Sequence, residues 1–151
     1  MPNPYSHIDL GYLESITDGS YDLIKELISI FIEQIPEFKD GFDEALSSKD
    51  WSKIAAVAHK AKSSVMSMGM EELGNKDLKN LELIAKLLKL DGLQADSEEA
   101  VQIQKSVDSY SDERKEWLLA NKNESSVKEL INHFNHTCES ALSELQEVLE
   151  N

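Results

Sequence analysis

Residues that crosslink or punctuate a chain are scarce here: one cysteine, three prolines and six glycines among 151 residues. The single cysteine, Cys138, excludes an internal disulfide and suits a reducing compartment. No apolar run approaches the roughly 20 residues that cross a bilayer. The opening MPNPYSHIDLGYL lacks a basic segment followed by an apolar one, so no secretory signal is read there. Positive charge is also short: 15 Lys and Arg face 29 Asp and Glu, a net −14. Such a chain repels nucleic-acid phosphates and anionic membrane surfaces, which leaves solubility as the plain use of the charge. A Gly-rich phosphate loop, a nucleotide motif and a cluster of acidic metal ligands are likewise missing. The expectation is a cytoplasmic protein without nucleic-acid or membrane partners.

What is present is helical spacing. Apolar residues recur at three and four along most of the chain. Pro2 and Pro4 mark a loose N-terminus, followed by a short helical turn near IDLGYLESI. DGS at 18–20 starts a long helix, with Ser20 or Asp18 as its cap. Leu23, Leu27, Phe31, Phe38, Phe42 and Ala45 form its apolar stripe, and Pro36 should kink or divide it. Asp50 caps the next helix, which stops near Gly69. A fourth covers about 71–90 on Leu73, Leu78, Leu81, Ile84, Ala85 and Leu88. One further amphipathic helix follows, with Asp96 and Glu99 as a capping box and Ala100, Ile103, Val107, Tyr110 and Trp117 in register. A second box, Ser126 with Glu129, opens the last helix, whose face carries Val127, Leu130, Phe134, Cys138, Ala141, Leu145 and Val148. These elements predict an all-α fold: an antiparallel four-helix bundle with a short N-terminal helix and an extra helical insertion before the last bundle helix. A single domain over 1–151 is expected, with its core at about 8–90 and 125–150 and the insertion at about 91–124.

One stretch of the third helix, AHKAKSSVMSMG at 58–69, stands apart. At roughly 100° per residue, Val57, Ala58, Ala61, Val65 and Met68 fall within about 60° of Ile54, with Trp51 at the edge. That is the core stripe. His59 falls roughly 140° away and points outward. Its neighbours one turn off are Ala55, Ala56, Lys62 and Ser63, three of them small. A solvated face usually carries Lys, Glu and Gln, so exposure alone does not account for them. A neutral imidazole, with an ordinary pKa near 6.5, is a competent nucleophile at cytoplasmic pH. Small neighbours leave it room to enter another protein's active site and attack a phosphoryl group. Lys62 could meet the phosphate's charge as a point cation.

Geometry adds candidates. If the chain turns back near 70–71, His59 lies about 11 residues before the turn and Glu82 about 11 after it. Glu82 could then orient the imidazole through its second nitrogen, with Lys86 one turn further on. Met66 lies near the histidine's face and, with Ala55 and Ala56, is a candidate for a surface that a partner covers.

Two metal readings compete weakly. HFNHTC at 133–138 has an H-x-x-H pair, but Cys138 falls on the apolar face and the histidines away from it. A di-iron bundle needs Glu-x-x-His, and Pro4, Ala56, Leu130 and His133 occupy the positions three before the four histidines.

The joint pattern of Ala58-His59-x-x-Lys62, a serine pair, Gly69, Leu73 and Leu81-Glu82 resembles the histidine phosphotransfer (HPt) domain family. FIEQIPEF followed by ALSSKDWSKIAAVAHKAK is similar as well, and the resemblance spans about 8–90 plus the final helix. It implies a four-helix phosphoryl carrier of a two-component phosphorelay. Such a carrier takes phosphate on a histidine from a receiver-domain aspartate and passes it to another receiver. His59 matches the phosphoacceptor and Lys62 the adjacent lysine. The implied partners are response-regulator receiver domains, among them any carried by a hybrid histidine kinase. No cofactor is expected on this chain, since the receiver holds the Mg²⁺, and no kinase activity. Three departures stand out: Ser63 where glycine is usual, Ala61 where leucine is common, and a long 91–125 stretch. The alternative from another class is a helical docking module that binds and sequesters a receiver or kinase without phosphotransfer.

Overall fold

The computed structural model describes residues 3–151, so Pro2 lies outside the described residues. Among them are seven helices and no strand: α1 (Gly11–Ile16), α2 (Tyr21–Ser47), α3 (Trp51–Ser67), α4 (Lys79–Leu90), α5 (Glu98–Asp108), α6 (Asp112–Ala120) and α7 (Glu124–Glu150). A π-helical segment, Leu73–Leu78, runs directly into α4.

Capping chemistry sets most of the boundaries. The Asp50 carboxylate accepts the Lys53 amide at 3.1 Å and opens α3. At the other end the Met70 amide donates to the Val65 carbonyl and the Gly69 amide to the Met66 carbonyl. This pair of bonds closes a helix through a left-handed residue, and Gly69 supplies it with φ +80°. Elsewhere the expected caps move. Ser97, not Asp96, caps α5 by accepting the Ala100 amide. Asn123, not Ser126, caps α7 by accepting the Ser126 amide at 2.8 Å, so this helix starts earlier than expected. Asn is as strong a cap as Ser, and the earlier start adds a hydrogen-bonded turn. Ser20 precedes α2 without a side-chain cap bond.

Three further expectations are corrected. Of the two outcomes expected at Pro36, division does not occur, since α2 is continuous across it. Phe31, Phe38 and Phe42 are buried on both sides of the proline, and that packing outweighs its missing amide. The insertion is two helices rather than one: the Ser111 hydroxyl accepts the Arg114 amide and starts α6, leaving Trp117 42% exposed while Leu118 is buried. Serines compete with the helix for backbone hydrogen bonds, and Ser109 and Ser111 do so here. Residues 6–8, which follow the expected loose start, are tied down, since the amides of Ser6, His7 and Ile8 donate to the Glu144 carboxylate on α7.

α3 packs against α2, α4 and the π-helical segment, while α7 packs against α2, α4 and the same segment. Phe134 of α7 meets Phe42 edge-on at 5.4 Å and Phe38 at 6.2 Å, joining α2 to α7 through the core. The stripe of α2 is offset from expectation: Ile24 and Ile28 are buried, whereas Leu23 is 49% exposed and Leu27 half-buried. On α7, Ile131 is buried and Leu130 half-buried. α4 is buried on more than one side, since α5 and α6 also pack against it and both Leu83 and Leu87 are buried.

Candidate functional site

His59 stands on α3 with its side chain 67% exposed, and its Nδ1 lies 3.1 Å from Oε1 of Glu82 on α4. Glu82 is buried, its side chain only 5% exposed. The same Oε1 lies 3.4 Å from Lys86 Nζ, one turn further along α4. Oε2 is buried without a hydrogen-bond partner, and Lys79 Nζ lies 4.0 Å from it. A buried carboxylate that is only partly satisfied costs stability, so packing alone does not explain it. Three cationic or proton-bearing groups converge on it, and one of them is the exposed imidazole.

This arrangement restricts the ring chemically. An ionised carboxylate only accepts hydrogen bonds, so a favourable contact puts the proton on Nδ1. That leaves Nε2 as the nitrogen with a free lone pair. The tautomer follows from the hydrogen-bond network rather than from a located proton.

The way α4 reaches His59 depends on the π-helical segment. Gly74 within it lies so close to α3 that a Cβ there would sit 2.7 Å from Met66 Sδ and 3.3 Å from the Lys62 carbonyl. Sequence spacing gave no sign of this widened turn, although π segments recur near functional sites. Gly74 was the residue that could have signalled the close approach.

The remaining candidates are distributed around the histidine. Lys62 is half-buried and forms no ion pair among the described residues. Ser63 and Ala56 are exposed. Ala55, expected on an open surface, is buried at 7% exposure because the stripe of α3 is wider than the angular reading allowed. Met66 is half-buried, its sulfur facing Gly74. A groove of about 620 Å³ opens beside His59, and Ala55, Ala56, Glu82 and Lys86 line it together with residues of α5. The reading of α5 as part of an insertion did not place it against the histidine.

The second histidine cluster disperses. His133 Nε2 lies 3.1 Å from Asp77 Oδ2, His136 is exposed and Cys138 is fully buried. Among the described residues no three His, Cys, Asp or Glu side chains converge as metal ligands. No helix of the described residues is long and apolar enough to cross a membrane.

Comparison with protein families places the chain. The Hpt domain model matches residues 26–113, more than half of the chain, and the protein belongs to the Hpt domain family. Membership carries a histidine phosphotransfer role in a phosphorelay and interaction with receiver domains. The match runs through α5 and ends before α7, whereas the sequence resemblance spans about 8–90 and the last helix. No curated protein and no solved structure matched the chain.

Proposed function

We propose that this protein is a phosphoryl carrier with His59 as phosphoacceptor. The observation that supports it most is the pairing of an exposed imidazole with a buried carboxylate across α3 and α4. In the proposed step, Nε2 of His59 attacks the phosphorus of a receiver's aspartyl phosphate. The phosphorus–oxygen bond to aspartate breaks, and the carboxylate leaves with the bonding pair. The phosphorylated ring keeps its Nδ1 proton, and Glu82 offsets the positive charge that the ring acquires. Transfer onward reverses these bonds on a second receiver's aspartate. Lys62 is the charge partner of the incoming phosphate, and Lys86 holds Glu82 in place. Ser63, where the family usually has glycine, adds modest bulk beside the ring.

On this reading the chain carries no cofactor, and the Mg²⁺ belongs to the receiver. It is no kinase and works in the cytoplasm. The four helices α2, α3, π–α4 and α7 form an antiparallel bundle within one domain, to which α5 and α6 are an insertion.

The test is incubation with a phosphorylated receiver domain, followed by measurement of acid-labile, base-stable phosphate on this chain. The wild type takes up label and His59→Gln does not. Binding without label, from any receiver in the same genome, would leave a docking module instead.

A further inference from the structure

The groove beside His59 has walls from three helices, and one of them, α5, carries neither member of the His59–Glu82 pair. α3 contributes Ala56 and His59, and α4 contributes Leu83 and Lys86. The facing wall is α5, whose Gln102 and Ser106 line the groove one turn apart, both exposed. A volume of about 620 Å³ exceeds what a single phosphoryl group fills and admits side chains of a second protein.

α5 is a built wall rather than a loose connection. Its Ala100, Ile103 and Val107 are buried, at 1%, 9% and 3% exposure. Lys89 of α4 pairs with Glu99 at the groove's edge. The next helix, α6, is fastened to α4, where Arg114 Nη2 donates to the Oδ1 of Asn80 at 2.8 Å. Asn80 is itself only 6% exposed. A body approaching His59 from this side therefore meets a fixed helix.

Charge indicates what that body is. Residues 51–90, which hold α3 and α4, carry seven lysines and four acidic residues, a net +3 in a chain whose total is −14. The groove lining itself balances Lys86 and Lys89 against Glu82 and Glu99. The cation that favours an acidic partner is therefore Lys62, one turn from His59 and without an ion pair among the described residues. An aspartyl phosphate in its carboxylate-bearing site has that character.

The geometry points to the groove-facing edge of α5, Gln102 and Ser106, as a partner-selecting surface for the receiver domain that exchanges phosphate with His59. The inference rests on the phosphotransfer reading above. Receivers whose surface fits between α3 and α5 reach the imidazole, and those that clash with α5 are turned away.

Three variants test it: Gln102→Trp and Ser106→Trp in the groove, and Gln104→Trp, outside the groove lining, as control. All three sites are exposed, so the fold is retained, which thermal melts check. Phosphoramidate, a small donor that needs no docking, is compared with a panel of phosphorylated receiver domains from the same genome. Labelling of His59 by phosphoramidate stays within about twofold of wild type in all three variants. Transfer from the receiver that wild type prefers falls about tenfold or more in the groove variants, and the ranking of receivers changes. The control transfers like wild type. Unchanged transfer and ranking in both groove variants overturns the role of α5 while leaving the carrier intact. Phosphoramidate labelling of the wild type without transfer from any receiver overturns the receiver as occupant. A wild type that takes phosphate from neither source overturns the phosphotransfer reading and this inference with it.

Discussion

His59 and Glu82 join the surface of this protein to its interior: Nδ1 of a 67% exposed ring lies 3.1 Å from the carboxylate of a side chain that is 5% exposed. The ring is thereby free to meet a partner while one of its nitrogens is held. A half-turn about χ2 would put Cδ2 in place of Nδ1 and Cε1 in place of Nε2, and the contact to Glu82 opposes it. The orientation is fixed from within, where solvent competes least.

Replacing Glu82 by Gln keeps the shape and removes the charge. The amide can still accept from Nδ1, but it no longer offsets a positive ring. Transfer to His59 is expected to slow on the order of tenfold, the scale on which partners that orient a reactive imidazole act. Stability in a urea melt should hold or rise, because a buried carboxylate with one unsatisfied oxygen is removed. Wild-type transfer rates in Glu82→Gln would remove the residue from the mechanism.

Lys62→Ala separates charge from structure. Lys62 forms no ion pair among the described residues, so its loss should change unfolding free energy by less than about 0.5 kcal/mol. Phosphotransfer should slow, and more so at low ionic strength, where a point cation acts furthest. Stopped-flow transfer at two salt concentrations reads both effects. Equal rates in variant and wild type at low salt would exclude Lys62 as a phosphate partner.

Several parts of this fold are legible in the sequence because they are encoded locally. Asp50 and Gly69 bracket α3, and the stripe of α7 is nearly continuous. Counting equal distances from the turn also brings Glu82 to the height of His59. Other parts depend on contacts that no local pattern carries. YDLIKELISIF at 21–31 offers two apolar rows, Leu23–Leu27–Ile30 and Ile24–Ile28–Phe31, with the same helical spacing. Packing chooses the second and leaves Leu23 and Ile30 about half exposed, at 49% and 47%. The π-helical turn has no sequence code beyond a glycine at the contact. The position of α5 is a long-range outcome, yet LELIAKLLKL at 81–90 hints at it. A helix apolar on nearly every side must be covered on nearly every side.

Gly69→Ala probes the junction that ends α3. The backbone there has φ +80°, which an L-residue adopts at a cost of about 1 kcal/mol or more. An added Cβ would also lie within 2.6 Å of the Asp9 backbone, which cannot move without breaking the Asp9 amide bond to the Met68 carbonyl. The two effects together should lower stability by roughly 2 kcal/mol or more in denaturant unfolding. A loss below about 0.5 kcal/mol would show that the N-terminal segment yields instead.

Cys138 gives the protein a pH-dependent stability at the alkaline end. Burial pushes its thiol up to about 12 from an ordinary 9.0. The folded state therefore keeps the proton in a range where the unfolded chain has released it. The sign follows from this: the contribution is complete below pH 9 and is lost as pH rises toward the folded value. Within that window this one group lowers stability by up to about 1.4 kcal/mol per pH unit. Lysines and tyrosines titrate there too, so the measurement is the difference in slope between wild type and Cys138→Ala in urea melts from about pH 8.5 to 10.5. The wild type should fall more steeply. In the native protein at pH 8, a disulfide reagent should label Cys138 only as fast as the chain opens, because the thiol is both protonated and fully buried. Prompt labelling without unfolding would place the thiol at the surface and contradict both expectations.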